Sequence, residues 1–359
     1  MARAPVPTAA LVATLAAGAA VGCRSLGPET IARDRYAYSD SLSESWKRQT
    51  LLNIVKLRYL DPPIFVDVGQ IVAGYSLETG VSIAGQAVGG GGDTATLGAT
   101  GKFTDRPTIT YTPLTGNHFV KALMTPLPPE AVFFTMQSGW PADSVMLAAV
   151  SSINGLKNQE TSLAGATPPD ARFLRVLALL RELQRSGAAS FRVRVDAEKS
   201  KTSLLTFRAP DADPAAVERI RELRGLLRLD SEASEFALVL GGNASGDKEL
   251  AVITRSLLHI MTTIAAQADV PAEDIAEGRA TPGLTGPPDG DDAYALVRIH
   301  CSREKPADAS VSVSYRRHWF WIDDRDLKSK RAFAFMLMLF TLSDTGEKEA
   351  PPLITIPAQ

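Results

Sequence analysis

Pro169-Asp170-Ala-Arg-Phe173-Leu-Arg-Val176-Leu177-Ala-Leu-Leu180-Arg-Glu-Leu183-Gln-Arg-Ser-Gly187 is the stretch that decides the fold class. Phe173, Val176, Leu177, Leu180 and Leu183 recur at three- and four-residue steps, the spacing that lays one apolar stripe of a helix against a core. Pro169-Asp170 opens this helix. Gly187 closes it, because glycine takes the left-handed backbone of a helix end without a steric cost. Residues 189–195 and 203–208 then have strand character and are joined by a charged turn. Asp213-Pro214 is an N-cap followed by proline at the first helical position, opening a helix with Val217, Ile220, Leu223 and Leu227 on one face. Residues 236–240 supply another strand. The order helix, strand, strand, helix, strand is that of a small two-layer α+β unit.

Downstream, the same order is expected again. Residues 248–268 read as a helix, 294–301 and 310–322 as strands, 326–342 as a helix and 353–356 as a strand, with a Pro/Gly/Asp-rich loop over 271–292. Upstream, three short helices over 116–124, 129–137 and 142–153 form a helical connector, followed by a polar linker over 154–167. Before them Ile71, Ala73, Tyr75, Leu77, Val81 and Ile83 alternate with small or polar residues. Ala95, Leu97, Ala99, Gly101 and Phe103 do the same after a Gly89–Gly92 tip, so 71–103 reads as one long β-hairpin, with a further strand over 108–112. Ser41-Leu-Ser-Glu44 has the capping-box spacing and opens a helix that ends near Tyr59, before Asp61-Pro62-Pro63. The fold class is therefore α+β. Its expected segments are 41–113 (helix and hairpin), 114–167 (connector and linker), 168–245 (first unit) and 246–359 (second unit).

The chain has 359 residues, 45% of them hydrophobic and 22% charged, enough apolar material for ordinary cores. A formal net charge of -2 excludes a global nucleic-acid footprint, and no nucleic-acid partner is expected. Arg3 gives a short basic start, and residues 8–21 are then apolar and uncharged. That run is too short for the roughly 20 residues of a membrane-crossing helix, and reads as an export signal over 1–22. Ala20-Val21-Gly22-Cys23 resembles the lipobox of bacterial lipoproteins, with Ala20 where leucine is usual. The resemblance implies that Cys23 is acylated with palmitate-type chains and becomes the mature N-terminus, with 23–40 as a lipidated tether. Arg24, where aspartate marks inner-membrane retention in that family, implies an outer-membrane address facing the periplasm. Two or more acyl chains would make such an anchor effectively permanent.

Chemistry is sparse. His118, His259, His300 and His318 lie on separate elements without zinc-site spacing, and no metal or cofactor motif can be written. Gly74-Tyr-Ser-Leu-Glu78 has only half of a nucleophile elbow. Cys301, in an apolar run, reads as a small core residue rather than a reactive thiol. Between residues 170 and 228 there are 13 basic and 8 acidic residues, a local excess of 13 - 8 = +5, expected to form a solvated helix face partly paired with Glu182. The densest cluster, Tyr315-Arg-Arg-His-Trp-Phe-Trp-Ile-Asp-Asp-Arg-Asp326, puts aromatics, bases and carboxylates at a strand-to-helix junction. Arg316, Arg317, His318, Trp319, Asp323 and Asp324 are its candidate ligand or partner surface, with Asp323 and Asp324 also placed to cap the next helix. Trp319 and Trp321 are expected on one strand face and Phe320 on the other.

Three functions follow as expectations. The first is a non-enzymatic envelope lipoprotein with an assembly or scaffolding role, with no catalytic residue assigned. Its tandem helix-and-sheet units are similar in element order to the ring-building modules of secretion-system lipoproteins, which implies a homo-oligomer or an envelope complex. The second is a subunit of an oligomeric pore or secretion channel using the 71–103 hairpin, whose arms exceed the 9 to 11 residues of a tilted membrane strand. The third is an enzyme or ligand-binding protein centred on Trp319–Asp326.

Overall fold

In the computed structural model, residues 26–72, 74–86, 94–162, 165–195, 201–208, 213–284 and 295–343 are described. Cys23, the Gly89–Gly92 tip and the expected strand over 353–356 lie outside these residues. The chain divides into two compact units, one of residues 1–45 and 67–112, the other of 46–66 and 113–359. An α+β fold is shown, and no helix among the described residues is long and apolar enough to cross a membrane.

The first helix, α1 (Leu26–Arg58), begins well before the expected capping box at Ser41. Residues 29–40 contain no breaker, so the helix is already formed when it reaches Ser41, which is exposed within it. Next come β1 (Phe65–Val72), β2 (Tyr75–Gln86), β3 (Thr94–Asp105) and β4 (Thr108–Leu114). β2 and β3 form an antiparallel two-stranded sheet of 12 residues per arm, and β1 pairs with β4 in another. The amide of Arg106 donates to the Gly74 carbonyl at 2.9 Å, where the first pair gives way to the second. Register sets Leu77 opposite Phe103, Val81 opposite Ala99 and Ile83 opposite Leu97. The two alternating patterns are thus in phase across the hairpin, as opposed residues share a face. Within this unit the Tyr75 hydroxyl donates to Asp34 of α1.

The apolar core lies in the second unit; every buried apolar side chain among the described residues belongs there. Helices α2 (Gly116–Met124), α3 (Pro129–Gln137) and α4 (Ala142–Ala149) form the expected connector. The segment 154–167, expected as a polar linker, is paired instead. β5 (Val150–Ile153) ends the last connector helix early, turns through Asn154 (φ 45°) and Gly155 (φ 80°), and returns as β6 (Leu156–Lys157). Asn-Gly is the dipeptide preferred in a tight hairpin whose two central residues take positive φ. A small hairpin, β7 (Glu160–Ser162) and β8 (Gly165–Thr167), follows.

From Asp170 the expected order is observed: α5 (Ala171–Ser186), β9 (Ala189–Val195), β10 (Lys201–Phe207), α6 (Pro214–Leu227) and β11 (Glu235–Leu240). Asp170 caps the first helix through the Arg172 amide, Gly187 ends it at φ 71°, and Asp213 caps the second through the Ala216 amide. The basic excess is partly paired: Arg175 with Glu222 at 2.7 Å, Arg219 with Glu182 at 2.5 Å and Arg172 with Asp170 at 2.8 Å.

The expected repeat fails after this point. Residues 248–268, read as one helix, are β12 (Glu249–Thr254) followed by α7 (Leu257–Ala265), with Ser256 as the N-cap accepting from the His259 amide. Leu250, Ala251 and Val252 are buried because β12 runs parallel to β11 and antiparallel to β5 inside a six-stranded sheet of order β6-β5-β12-β11-β10-β9. Then come α8 (Ala272–Ala276), β13 (His300–Ser302), β14 (Ala309–Tyr315), β15 (His318–Asp323) and α9 (Leu327–Ser343). Residues 310–322, expected as a single strand, therefore form a hairpin, and β13 lies on the other side of β15.

Arg255, just past β12, has no solvent exposure. Its guanidinium donates to the carbonyls of Leu147 at 3.0 Å, Ala148 at 3.3 Å and Gln159 at 2.5 Å. Burial pushes its pKa down to about 10, which leaves it charged at neutral pH. Removing the guanidinium leaves three buried carbonyls with fewer partners, each costing on the order of 1 kcal/mol. Arg255→Met is therefore expected to lower stability by about 3 kcal/mol, read as a fall in the urea midpoint with an unchanged slope.

Candidate functional site

His318-Trp-Phe-Trp-Ile-Asp323 is rich in aromatic residues and includes one β-branched residue, the composition of a half-buried strand. Phe320 and Ile322 are buried, whereas Trp319 and Trp321 are only partly covered, the face division expected from the alternation. His300 stacks on Trp321 with ring centroids 4.7 Å apart, and the Lys305 ammonium lies 5.5 Å from the Trp319 ring centre.

The turn between β14 and β15 is built from two arginines. Arg316 (φ 45°) and Arg317 (φ 65°) both occupy the left-handed region, where a non-glycine residue is strained by roughly 1–2 kcal/mol. No Asn or Gly announces this turn, which explains why the sequence reads straight through it. What holds it comes from the end of α1: the Arg316 guanidinium sits 4.6 Å from the Tyr59 ring centre and pairs with Asp61 at 3.2 Å, while the Tyr315 hydroxyl also donates to Asp61. Next to this lies a second carboxylate. Asp274 of α8 accepts from the Tyr59 hydroxyl at 2.7 Å and from Arg279 at 2.8 Å. The Tyr59 bond, with help from Arg279, holds Asp274 below the usual carboxylate range, and the Tyr315 bond does the same for Asp61.

His318 joins this cluster to a groove of about 710 Å³, whose wall also includes Arg58, Asp269, Glu273, Gly283, Cys301 and Arg303. Sequence reasoning missed Tyr59, Asp61, Asp274 and Arg279, which come from segments more than 200 positions apart; no local spacing encodes their meeting. Cys301 is a free thiol, half-buried, with its pKa pushed up to about 11 by burial, so it remains protonated. A smaller pocket of about 460 Å³ near β6 is lined by Lys157, Glu160, Asp170 and Arg172, which form the pairs Lys157–Glu160 and Arg172–Asp170.

Asp323 and Asp324 do not join the groove. They lie at the far end of β15 from Arg316, Arg317 and His318. Asp323 accepts from the Arg325 amide at 2.8 Å, and Asp324 pairs with Lys330 at 2.6 Å. Asp326, not either of these, caps α9 through the Ser329 amide at 3.0 Å and its hydroxyl at 2.6 Å. The carboxylates therefore serve the chain turn and do not converge on a reacting position. Among the described residues no group of His, Cys, Asp and Glu could hold a metal ion. His259 is half-buried beside Arg255; burial and that positive charge push its pKa down to about 4. No family model, curated protein or solved structure matches this chain.

Two outcomes follow from this geometry. Arg317→Gly relieves a left-handed strain and is expected to gain about 0.5–1 kcal/mol after glycine's entropic cost. Arg316→Gly sheds the same strain but loses the Tyr59 and Asp61 contacts, so it should fall at least about 1 kcal/mol below Arg317→Gly in denaturant unfolding. For His259, a folded pKa of about 4 against an ordinary value near ~6.5 means that the unfolded chain takes the proton first. Its neutral form supports the fold above about pH 6.5, and this support drains away as pH falls to about 4; His259→Gln is expected to flatten the melting temperature across that window.

Proposed function

We propose that this protein is a lipid-anchored envelope protein, held to the outer membrane through Cys23, and that its work is non-enzymatic assembly with further copies of itself. The observation that carries this reading is the pair of two-stranded sheets in the first unit. In each, both outer strand edges lack a strand partner among the described residues, and none of the unit's described apolar side chains is buried. A two-stranded ribbon is marginal alone, and an open edge is a ready template for another strand.

A second copy fits these edges by charge. Glu78 and Lys102 are exposed and opposite one another in the β2–β3 register. When β3 of one copy lies antiparallel beside β2 of the next in the same register, each Glu78 falls between two Lys102 side chains. Opposite charges directly across a strand pair are favourable and like charges are not. This arrangement is head-to-tail, so it generates a ring where the rotation closes. A channel formed by such a ring is the second reading, supported by the 12-residue arms of β2 and β3, longer than a tilted membrane strand needs. The dispersal of Asp323 and Asp324 away from the groove argues against a carboxylate-based enzyme.

Light scattering of the full chain in detergent is expected to give a defined multiple of the monomer mass. Glu78→Lys and Lys102→Glu should each lower the assembled fraction, and the double reversal should restore it. A monodisperse monomer at every concentration would remove the reading. Cys23→Ser is expected to move the protein from the membrane to the soluble fraction. Conductance across a planar bilayer separates the channel from the scaffold.

A further inference from the structure

The two buried arginines of the second unit are employed very differently. Arg255 donates to three carbonyls. Arg58, at the end of α1, is 3% exposed, yet its guanidinium makes one long bond, from Nη1 to the Thr281 hydroxyl at 3.4 Å; its Nε is buried without a partner, as is that of Arg255. No carboxylate forms an ion pair with it among the described residues. Asp269 on the groove wall lies 3.5 Å from His300 and acts on Arg58 through its charge, without an ion-pair contact. A buried guanidinium carries five donors and a charge that is costly to strip of water. Burial accordingly lowers the pKa of Arg58, but the group stays charged at neutral pH.

The guanidinium packs directly against the backbone of Gly283. A Cβ at Gly283 would stand 2.5 Å from Nη2 of Arg58 and 3.2 Å from the Ala266 carbonyl, so only glycine leaves the guanidinium where it is. Arg58 and Gly283 both line the 710 Å³ groove, and Arg303 and His318 add positive or neutral donors to its wall. We propose that this groove is a binding site for a small molecule bearing an oxyanion, a carboxylate or a phosphoryl group, which docks on the Arg58 guanidinium. The planar fork of donors suits either group, bidentately. Asp269 and Glu273 on the same wall repel additional negative charge and select against polyanions. Neither the anchor nor the ribbon edges enter this site, so it stands or falls apart from the assembly reading.

The test is thermal unfolding of the full chain in detergent, with sodium acetate and inorganic phosphate titrated separately at constant ionic strength against sodium chloride. A saturable rise in melting temperature above the chloride control is expected for at least one, acetate marking the carboxylate and phosphate the phosphoryl group. Arg58→Met should weaken the half-saturating concentration at least tenfold, and Gly283→Ala should weaken it as well. Arg325→Gln, at the far end of β15, should leave it unchanged. Without ligand, Arg58→Met should melt no lower than the parent, because it removes a buried charge that lacks a full set of partners. Absence of a saturable shift with both anions, or a shift that survives Arg58→Met, overturns the proposal. So does a ligand-free Arg58→Met that melts well below the parent, since that result makes Arg58 a structural brace like Arg255.

Discussion

At the centre of the second unit, β12 is paired on both sides, parallel to β11 and antiparallel to β5, and the residue after it drives a charged guanidinium into the core. This pairing ties together three stretches distant in the chain: the 150–157 hairpin, the helix-and-strand unit after Asp170, and the residues leading into α7. Arg255 then binds the carbonyls at the end of α4 and of Gln159, while its own amide donates to Ala149 at 2.7 Å. Carbonyls at the end of a helix lack partners within it. A side chain from the next element supplies them here, so the connector and the sheet cannot be moved independently. The Asn158 side chain works the same way, donating to Leu147 at 2.8 Å and Val150 at 2.6 Å.

How far the sequence could be read follows from where each constraint originates. The stripe from Phe173 to Leu183, the cap at Asp170, the Gly187 stop and the Asp213-Pro214 start are all local, and each has its expected place in the fold. Segment 249–254 reads as helix from sequence because Leu-Ala-Val-Ile-Thr is apolar on consecutive positions, and a strand buried on both faces shares that pattern with a core helix. What decides it is the partner strands β11 and β5, both upstream in the chain and beyond the reach of local spacing. Asn154-Gly155 is a different case: the turn signal was present and local, and a strand pair follows from it. Arg316-Arg317 carries no such signal, because its left-handed backbone is enforced from outside by Tyr59 and Asp61.

The candidate surface divides on the same principle. Trp319, Phe320 and Trp321 obey strand alternation, so their faces were legible. Reading Arg316 through Asp324 as one cluster assumed that neighbours in sequence stay neighbours in space. A six-residue strand instead carries the basic turn and the two aspartates about 17–20 Å apart. Arg316 meets Asp61, while Asp323 and Asp324 are left to a local amide, Arg325 and Lys330. Long-range company, not local composition, gives this region its electrostatics.

The same reasoning separates the two units by what satisfies them. In the second, the sheet, caps and buried guanidinium close most backbone and side-chain demands internally, and Arg58 stands out because its demand is left open toward a groove. In the first, the demand lies on the backbone itself: the register of β2 and β3 is set along 12 residue pairs, yet among the described residues each strand finds a strand partner on its inner edge alone. Side chains could blunt such edges with a buried inward charge or a proline, and β2 and β3 contain no proline. Glu78 and Lys102 oppose one another instead, an arrangement that neutralises charge across the ribbon and repeats without conflict when another ribbon is added. The Glu78–Lys102 pair near one end of this ribbon is matched across the strands, and in the proposed assembly a neighbouring copy would continue it.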